Sequence, residues 1–414
     1  MAEATTNTPT ITFGTDGWRG VIADTFTFDN VRIVSQAAAH YIRSLGGRDV
    51  TIGIGYDTRF QSETFAALAA EVLAANGLRV VLSAGAVPSP CLSWTIKARG
   101  LASGIMFTAS HNPPQFNGFK FKAEYAGSAD ETVTAKIESF LHTTEPTVRA
   151  LDEAKATGLV EEADFVPAYL DGLRAFVDFE RIAASGFSVV ADAMYGAQGR
   201  LMESLLGGTT CRLELIRGER NPNFPGIHPE PIPPHTALLQ ETVRDNAADV
   251  GLAVDGDADR IGACMSDGTF VSPHQIFAML LVHFLEHRKG TGLVVKTISS
   301  TTLVEKIARK HGLELVEVPI GFKHICELLR TRDVLIGGEE SGGIGYKGYI
   351  PERDGTLSGL LLLELMATTG KRLDEIMAGL DAEYGTFRYR RVDVEYPLER
   401  KRDLLKHLAA RRRG

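Results

Sequence analysis

Apolar positions along the chain switch repeatedly between two spacings. From Val31 to Leu45 they recur at helical spacing, Thr51 to Gly55 alternates as a strand, Phe65 to Ala75 reads as an alanine-rich helix, and Arg79 to Ser83 as a second strand. The apolar run Ser103 to Phe107 ends in a turn. A second series has helices over Phe165 to Phe179, Gly196 to Leu206 and His235 to Asn246, with strands over Phe187 to Ala191 and Asp249 to Val254. The third has helices Gln275 to His287, Thr302 to His311, Asp354 to Ala367 and Leu373 to Leu380 around strands Gly292 to Lys296, Glu314 to Val318 and Val334 to Ile336. Strands that alternate with helices imply parallel β-α-β units. The polar stretch Thr143 to Asp164 reads as an interdomain connection, and the six prolines between Arg217 and Pro234 exclude any regular element there. Thr386 to Tyr396 alternates as a strand, and Leu398 to Arg413 as a basic helix. The expectation is an α/β chain of three consecutive α/β domains with mixed, mostly parallel sheets. They span 1–145, 160–254 and 255–380, and an incomplete fourth α+β domain begins at 381–414.

Composition narrows the partners. A length of 414 residues suits several domains, and 44% hydrophobic with 23% charged residues is ordinary for a globular protein. The 52 acidic against 44 basic side chains, a formal charge of -8, argue against nucleic acid as the ligand. Cys91, Cys211, Cys264 and Cys326 lie far apart with no C-x-x-C, so neither a zinc site nor a disulfide framework is indicated and a cytoplasmic location fits. The polar start Met1 to Thr10 is no signal peptide. The most apolar run, Leu357 to Ala367, contains Glu364 and is far short of the roughly 20 residues that span a bilayer, so it reads as a buried helix rather than an anchor.

Four loops carry candidate chemistry. Thr108-Ala109-Ser110-His111-Asn112-Pro113 sets a serine hydroxyl beside an imidazole on a strand-end turn. Taken alone the pair is also ordinary turn chemistry, and a reactive serine needs a base, a metal or fixed dipoles. Asp255-Gly256-Asp257-Ala258-Asp259-Arg260 follows a buried strand, at the edge where open parallel sheets bind ligands. Its three aspartates at alternate positions can converge on a hard cation such as magnesium, leaving coordination positions for a phosphate oxygen. A calcium EF-hand loop needs Gly at its sixth position and Glu at its twelfth, where Arg260 and Ser266 stand, so calcium is disfavoured; a solvated acidic turn is the other reading. Gly14-Thr15-Asp16-Gly17-Trp18-Arg19-Gly20 offers a close backbone approach and an arginine suited to phosphate. Gly338-Glu339-Glu340-Ser341-Gly342-Gly343 is a polar loop of the kind that grips sugar hydroxyls, or a flexible turn. Lys120, at the end of what reads as a short glycine turn from Asn117, could neutralise charge or move a proton near the serine.

In their order and spacing these four loops resemble the α-D-phosphohexomutase family, the phosphoglucomutases and phosphomannomutases, from the start of the chain to about residue 385. The resemblance implies that Ser110 is a phosphoserine and that Asp255, Asp257 and Asp259 hold Mg²⁺ together with its phosphate. It casts Arg19, His111, Lys120 and Arg260 as charge-stabilising and proton-handling groups, and Glu339 and Ser341 as ligands of sugar hydroxyls. Gly321-Phe322-Lys323 is similar to a Gly-aromatic-Lys turn of glucose-preferring members, although Ile320 replaces a threonine often found before it. Arg353 stands where some members place a phosphate-binding lysine. The implied partner is a small sugar phosphate, and the implied reaction interconverts hexose 1- and 6-phosphates, with hexose 1,6-bisphosphate as intermediate and priming activator. A family loop of the Arg-x-Ser-Gly/Asn-Thr-Glu-Pro type, which clamps the unreacting phosphate, has no counterpart before Gly414. A magnesium-dependent sugar phosphatase and a weakly catalytic sugar-phosphate binder are the competing readings. The first lacks a G-x-S-x-G around Ser110.

Overall fold

A computed structural model describes residues 11–46, 50–389, 391–392, 396–397 and 400–411. Three sheets follow one another along the chain. The first holds β1 (Trp18–Val21), β2 (Thr51–Tyr56), β3 (Arg79–Ser83), β4 (Ser103–Phe107), β5 (Phe116–Ala123) and β6 (Val160–Ala163), in the order β1-β5-β4-β2-β3-β6. Strands β4, β2, β3 and β6 pair in parallel, while β5 and β1 add an antiparallel edge. The second holds β7 (Ser188–Asp192), β8 (Arg212–Ile216), β9 (Val250–Val254), β10 (Ile261–Met265) and β11 (Phe270–Val271), ordered β11-β10-β9-β7-β8. Its β9, β7 and β8 are parallel, and β10 and β11 antiparallel. The third, β13-β12-β14-β15, combines β12 (Leu293–Thr297), β13 (Leu315–Val318), β14 (Val334–Gly338) and β15 (Ile344–Tyr346), antiparallel only at β15. The mixed, mostly parallel α/β architecture is the one the alternating pattern implies.

Helix and strand boundaries follow the local sequence. The first helix, Phe28–Ser44, starts where the Thr27 side chain accepts from the Asn30 N–H and buries Val31, Val34 and Ile42 at helical spacing. One core, with Phe26, Phe65, Phe107 and Phe119, fills one face of the first sheet. Its other face shares a single core with the second and third sheets, centred on helix Gly355–Thr369. That helix is the leucine-rich run around Glu364, with Leu360 to Leu363 fully buried. No helix among the described residues is long and apolar enough to cross a membrane.

Four expectations need correction. Asn117–Lys120 is not a turn but part of β5, where Phe119 and Phe121 alternate with Lys120 and Lys122. Gly118 is there because a Cβ would come within 2.4 Å of the Thr108 carbonyl. The connection Thr143–Asp164 contains a helix, Leu151–Ala156, and β6, which pairs with β3, so a boundary at 160 cuts the first sheet. A boundary at 255 likewise separates β9 from β10 and β11 of the same sheet. Finally, residues 386–389, 391–392 and 396 form no strand, while 390 and 393–395 lie outside the described residues; the basic helix is described over Lys401–Arg411.

Candidate functional site

The parallel strands of the three sheets deliver their loops to one place. The Ser110 loop leaves β4, Asp255 to Arg260 leaves β9, and Glu339 to Ser341 leaves β14, each at a carboxyl end. Ser110 is 1% exposed and takes a left-handed conformation, φ 51°, uncommon for a residue with a side chain. Two contacts hold it there: the Thr108 hydroxyl accepts from its N–H at 2.9 Å, and Arg59 Nη2 donates to its carbonyl at 2.6 Å. Gly256 lets the aspartate loop approach, since a Cβ there would lie 2.4 Å from the Ser110 carbonyl oxygen. The Ser110 hydroxyl consequently donates to Asp255 Oδ2 at 2.6 Å. Its partner is a carboxylate of the aspartate loop and not His111, which removes the hydrogen bond that a serine-histidine hydrolase requires.

Asp255, Asp257 and Asp259 are buried and offer oxygens that all lie within 4.8 Å of one another. Burial, then the charges of Asp259 and Asp257, push the Asp255 carboxyl well above the ordinary range. Burial also raises Asp259. Burial works against ionised Asp257 too, but the Lys120 ammonium and hydrogen bonds from Lys120 and Ser89 hold it below its ordinary value. Asp257 Oδ1 and Asp259 Oδ1 are buried without a hydrogen-bond partner. Buried acceptors without donors are rare, and three crowded carboxylates with two such oxygens fit a divalent cation.

Cations from other loops surround the triad. Lys120 Nζ, from β5, lies 2.7 Å from Asp16, 2.8 Å from Asp257 and 3.4 Å from Asp259. Burial would lower the Lys120 pKa, but Asp16, Asp257 and Asp259 outweigh it and raise it. Arg353 lies 2.8 Å from Asp16, 2.7 Å from Asp259 and 3.2 Å from Glu339, so the guanidinium ties the first and third sheets to the aspartate loop. Above this floor opens a cleft of about 440 Å³ lined by Arg19, His111, Arg260, Gly321, Ser341 and Arg353 among others. The Arg260 guanidinium, then burial and Arg19, hold His111 well below its ordinary pKa, and His111 Nδ1 has no partner. Ser341 Oγ is also buried and unpartnered, while Glu339 Oε1 accepts from the Gly321 N–H at 3.2 Å.

Of the residues singled out in the sequence, Lys323 alone is not brought to this centre. Its ammonium bonds Glu131 Oε1 at 2.7 Å, and it lines a small adjoining hollow with Phe13 to Gly17. Gly321 and Phe322 of the same turn do line the cleft. Sequence reasoning passed over Asp16, Ser89, Asp57 and Arg59. Arg59 is fully buried and donates to the carbonyls of Ser110, Asn112, Pro113 and Phe116, cradling the whole serine loop. The available signal was Asp57-Thr58-Arg59 directly after β2, a charged pair at the same strand end as the aspartate loop.

Comparison with known proteins is consistent along the chain. Residues 10–147, 167–268 and 272–384 match, in turn, the alpha/beta/alpha domains I, II and III of the phosphoglucomutase/phosphomannomutase family. A phosphoglucosamine mutase of Corynebacterium efficiens is 33% identical over 385 residues, covering 89% of this chain and 82% of that protein. A phosphoglucomutase/phosphomannomutase of Thermococcus kodakarensis is 28% identical over 372 residues, covering 90% and 80%. A solved structure from Thermus thermophilus, a candidate phosphomannomutase, is 37% identical with a TM-score of 0.85, covering 91% of this chain and 84% of that one.

Proposed function

The chain belongs to the α-D-phosphohexomutase family and is an isomerase, and from that premise we propose that it interconverts hexose 1-phosphate and hexose 6-phosphate, with glucose the favoured sugar, through a phosphoserine at Ser110. The observation that carries the reading is the 2.6 Å hydrogen bond from the Ser110 hydroxyl to Asp255, inside a carboxylate triad and beneath a cleft walled by Arg19, Arg260 and His111. Asp255, Asp257 and Asp259 would hold Mg²⁺ beside Ser110 Oγ. When bound, that ion neutralises phosphoryl oxygens and the negative charge of the triad.

The remaining chemistry falls to the chain's own residues. Arg19 and Arg260 attract the phosphate dianion into the cleft and stabilise charge on the passing phosphoryl group. Ser341 and Glu339 bond sugar hydroxyls in this reading, which the buried, unpartnered Ser341 Oγ at the cleft wall supports. In the forward half-reaction the bond between Ser110 Oγ and phosphorus breaks, and one forms to the sugar's 6-oxygen. The hydroxyl proton passes to His111, whose Nδ1 is free, whereas Lys120 is saturated by three carboxylates. The resulting hexose 1,6-bisphosphate turns over, Ser110 Oγ takes the 1-phosphoryl group, and the proton returns to the 1-oxygen. Hexose 1,6-bisphosphate primes an unphosphorylated chain by the same transfer. The free thiols Cys91, Cys211, Cys264 and Cys326 support a reducing, cytoplasmic setting.

The test is a coupled assay with glucose, mannose and glucosamine 1-phosphates, Mg²⁺ and a trace of hexose 1,6-bisphosphate, beside intact-mass analysis. Glucose 1-phosphate is expected to turn over fastest, and Ser110→Ala to lose both turnover and the phosphate adduct while keeping its circular-dichroism spectrum. Isomerisation by Ser110→Ala rejects the phosphoserine. Steady phosphate release without priming would instead identify a phosphatase, and absence of turnover with retained binding a sugar-phosphate binder.

A further inference from the structure

His274 is 6% exposed, yet neither of its ring nitrogens has a hydrogen-bond partner. Such a group in a folded interior calls for a partner. It sits in the first turn of helix Pro273–Val282, behind a Ser272–Gln275 capping box, and lines a cavity of about 720 Å³. A second helix, Thr302–Lys310, begins at the same cavity, with its cap Thr301 and first residue Thr302 in the wall. The first-turn N–H groups of a helix have no intrahelical acceptors and carry the positive end of the helix dipole. Two such ends therefore converge on one space.

The remaining wall has the same sign. Arg388 contributes a guanidinium, and among the described residues that line the cavity none is acidic, in a chain whose formal charge is -8. Burial keeps the His274 imidazole below its ordinary pKa, with the charges of Glu340 and Lys296 acting on it in opposite directions. Glu340 is occupied by the Thr297 hydroxyl at 2.8 Å. A neutral imidazole retains one N–H to donate. Tyr389, whose ring lies 4.5 Å from that of His274, lines both this cavity and the Ser110 cleft, so the two spaces share a wall.

We propose that the cavity between the two helix starts is an anion site of its own, which takes the dianionic phosphate of a phosphate ester through His274, Arg388 and the N-terminal turns at Ser272 and Thr301. Oriented helix N-termini are suited to that group, and the volume admits an attached sugar. The occupant is either the unreacting phosphate of a substrate lying across the shared Tyr389 wall or a separate phosphorylated ligand. The site rests on the cavity and not on the mutase reading.

Inorganic phosphate is the probe, titrated into the full chain labelled with ¹⁵N-histidine. His274 and His111 resonances, assigned from His274→Gln and His111→Gln, report the cavity and the cleft separately. A saturable His274 shift is expected, weakened at least tenfold in Thr302→Asp, because an acid in the first turn supports the helix but repels the anion. Should that variant fold poorly, Arg388→Gln at an exposed side chain asks the same question. A His274 resonance that stays fixed while His111 saturates, or a shift unaffected by the variants, overturns the site. Movement of His274 without His111 leaves the site standing and counts against the cleft. In Ser110→Ala with hexose 6-phosphate, one isotherm for both histidines identifies the substrate's own phosphate, and two isotherms a separate ligand.

Discussion

Replacing Arg59 by lysine keeps a positive charge but removes the planar fork. The native guanidinium donates Nη1 to Pro113 and Phe116 carbonyls at 2.9 and 3.1 Å, and Nη2 to Ser110 and Asn112 carbonyls at 2.6 Å each. Its Nε lies 3.2 Å from Asp57 Oδ2, and both side chains are fully buried. An ammonium has three donors on one atom, so it can satisfy neither all four carbonyls nor their spread. Leaving one or two buried carbonyls without a donor costs about 1–3 kcal/mol each, which gives about 1–6 kcal/mol for Arg59→Lys. Arg59→Met also strands the Asp57 carboxylate and adds about 3–5 kcal/mol, comparable to the whole stability of a domain. Urea denaturation followed by circular dichroism reads both, and the first transition should move to lower urea in the order wild type, Lys, Met. Because Ser110 is held at positive φ by the same contact, Arg59→Lys should also lower kcat by tenfold or more through misplacement of the hydroxyl. Unchanged urea midpoints for both variants would refute the cradle, since no fourfold carbonyl contact could then be contributing.

Two buried carboxylates make further predictions of opposite sign. Burial, against hydrogen bonds from the Leu357 N–H and from the Tyr349 and Tyr169 hydroxyls, pushes Asp354 up to about 7 from 3.8. A raised folded-state value gives a stabilising contribution that is complete below about pH 4 and disappears as the pH climbs through 7, at most about 4 kcal/mol. Asp354→Asn keeps the helix cap and has no such titration, so its stability relative to wild type should rise between pH 4 and 7; parallel curves count against the assignment. Glu364 is held down at about 2, against its burial, by hydrogen bonds from His283 and Arg288. Its contribution is present above about pH 4.5 and lost as the pH falls through 2. Glu364→Gln turns a donor toward Arg288 and should cost about 2–4 kcal/mol at pH 7 in the same urea assay, and the deficit should shrink in acid.

The legible parts of this chain were those that depend on local rules. Asp255, Asp257 and Asp259 could be identified because a run of alternate carboxylates after an apolar strand is rarely mere solvation, and the strand fixes which sheet edge they occupy. Helix Gly355–Thr369 could be read as buried because its apolar run was too short for a bilayer. What stayed hidden depends on distant partners. Lys120 reads as the end of a turn because Asn117-Gly118 before it is a turn signal, and only pairing with β1 and β4 makes Phe116–Ala123 a strand. Strand β6 is too short and too acidic to register, with Glu161 and Glu162 facing outward at the sheet edge. Lys323 was assigned by its neighbours Gly321 and Phe322, but a helix turns successive side chains by about 100°, and the third residue faces Glu131 instead of the cleft.

The closest counter-charges of the site come from other loops, while the pairs inside a loop, Arg19 with Asp16 and Arg260 with Asp255 and Asp259, are longer at 3.7–3.9 Å. Asp16 precedes β1, and its closest partners are Lys120 from β5 and Arg353 from the loop after β15. Asp257 and Asp259 come from the second sheet, yet the cations nearest them, Lys120 and Arg353, come from the first and third. Glu339 closes the circuit by sharing Arg353. A buried charge that loses its partner costs several kcal/mol, so each loop can remain buried only while the other two stand in register. The same arrangement gathers three carboxylates at one point, with Asp257 Oδ1 and Asp259 Oδ1 lacking hydrogen-bond donors, next to the single hydroxyl of Ser110. Misplacing any one sheet would therefore strand charge in all three loops, and this ties the geometry around Ser110 to the packing of the whole chain rather than to the serine loop alone.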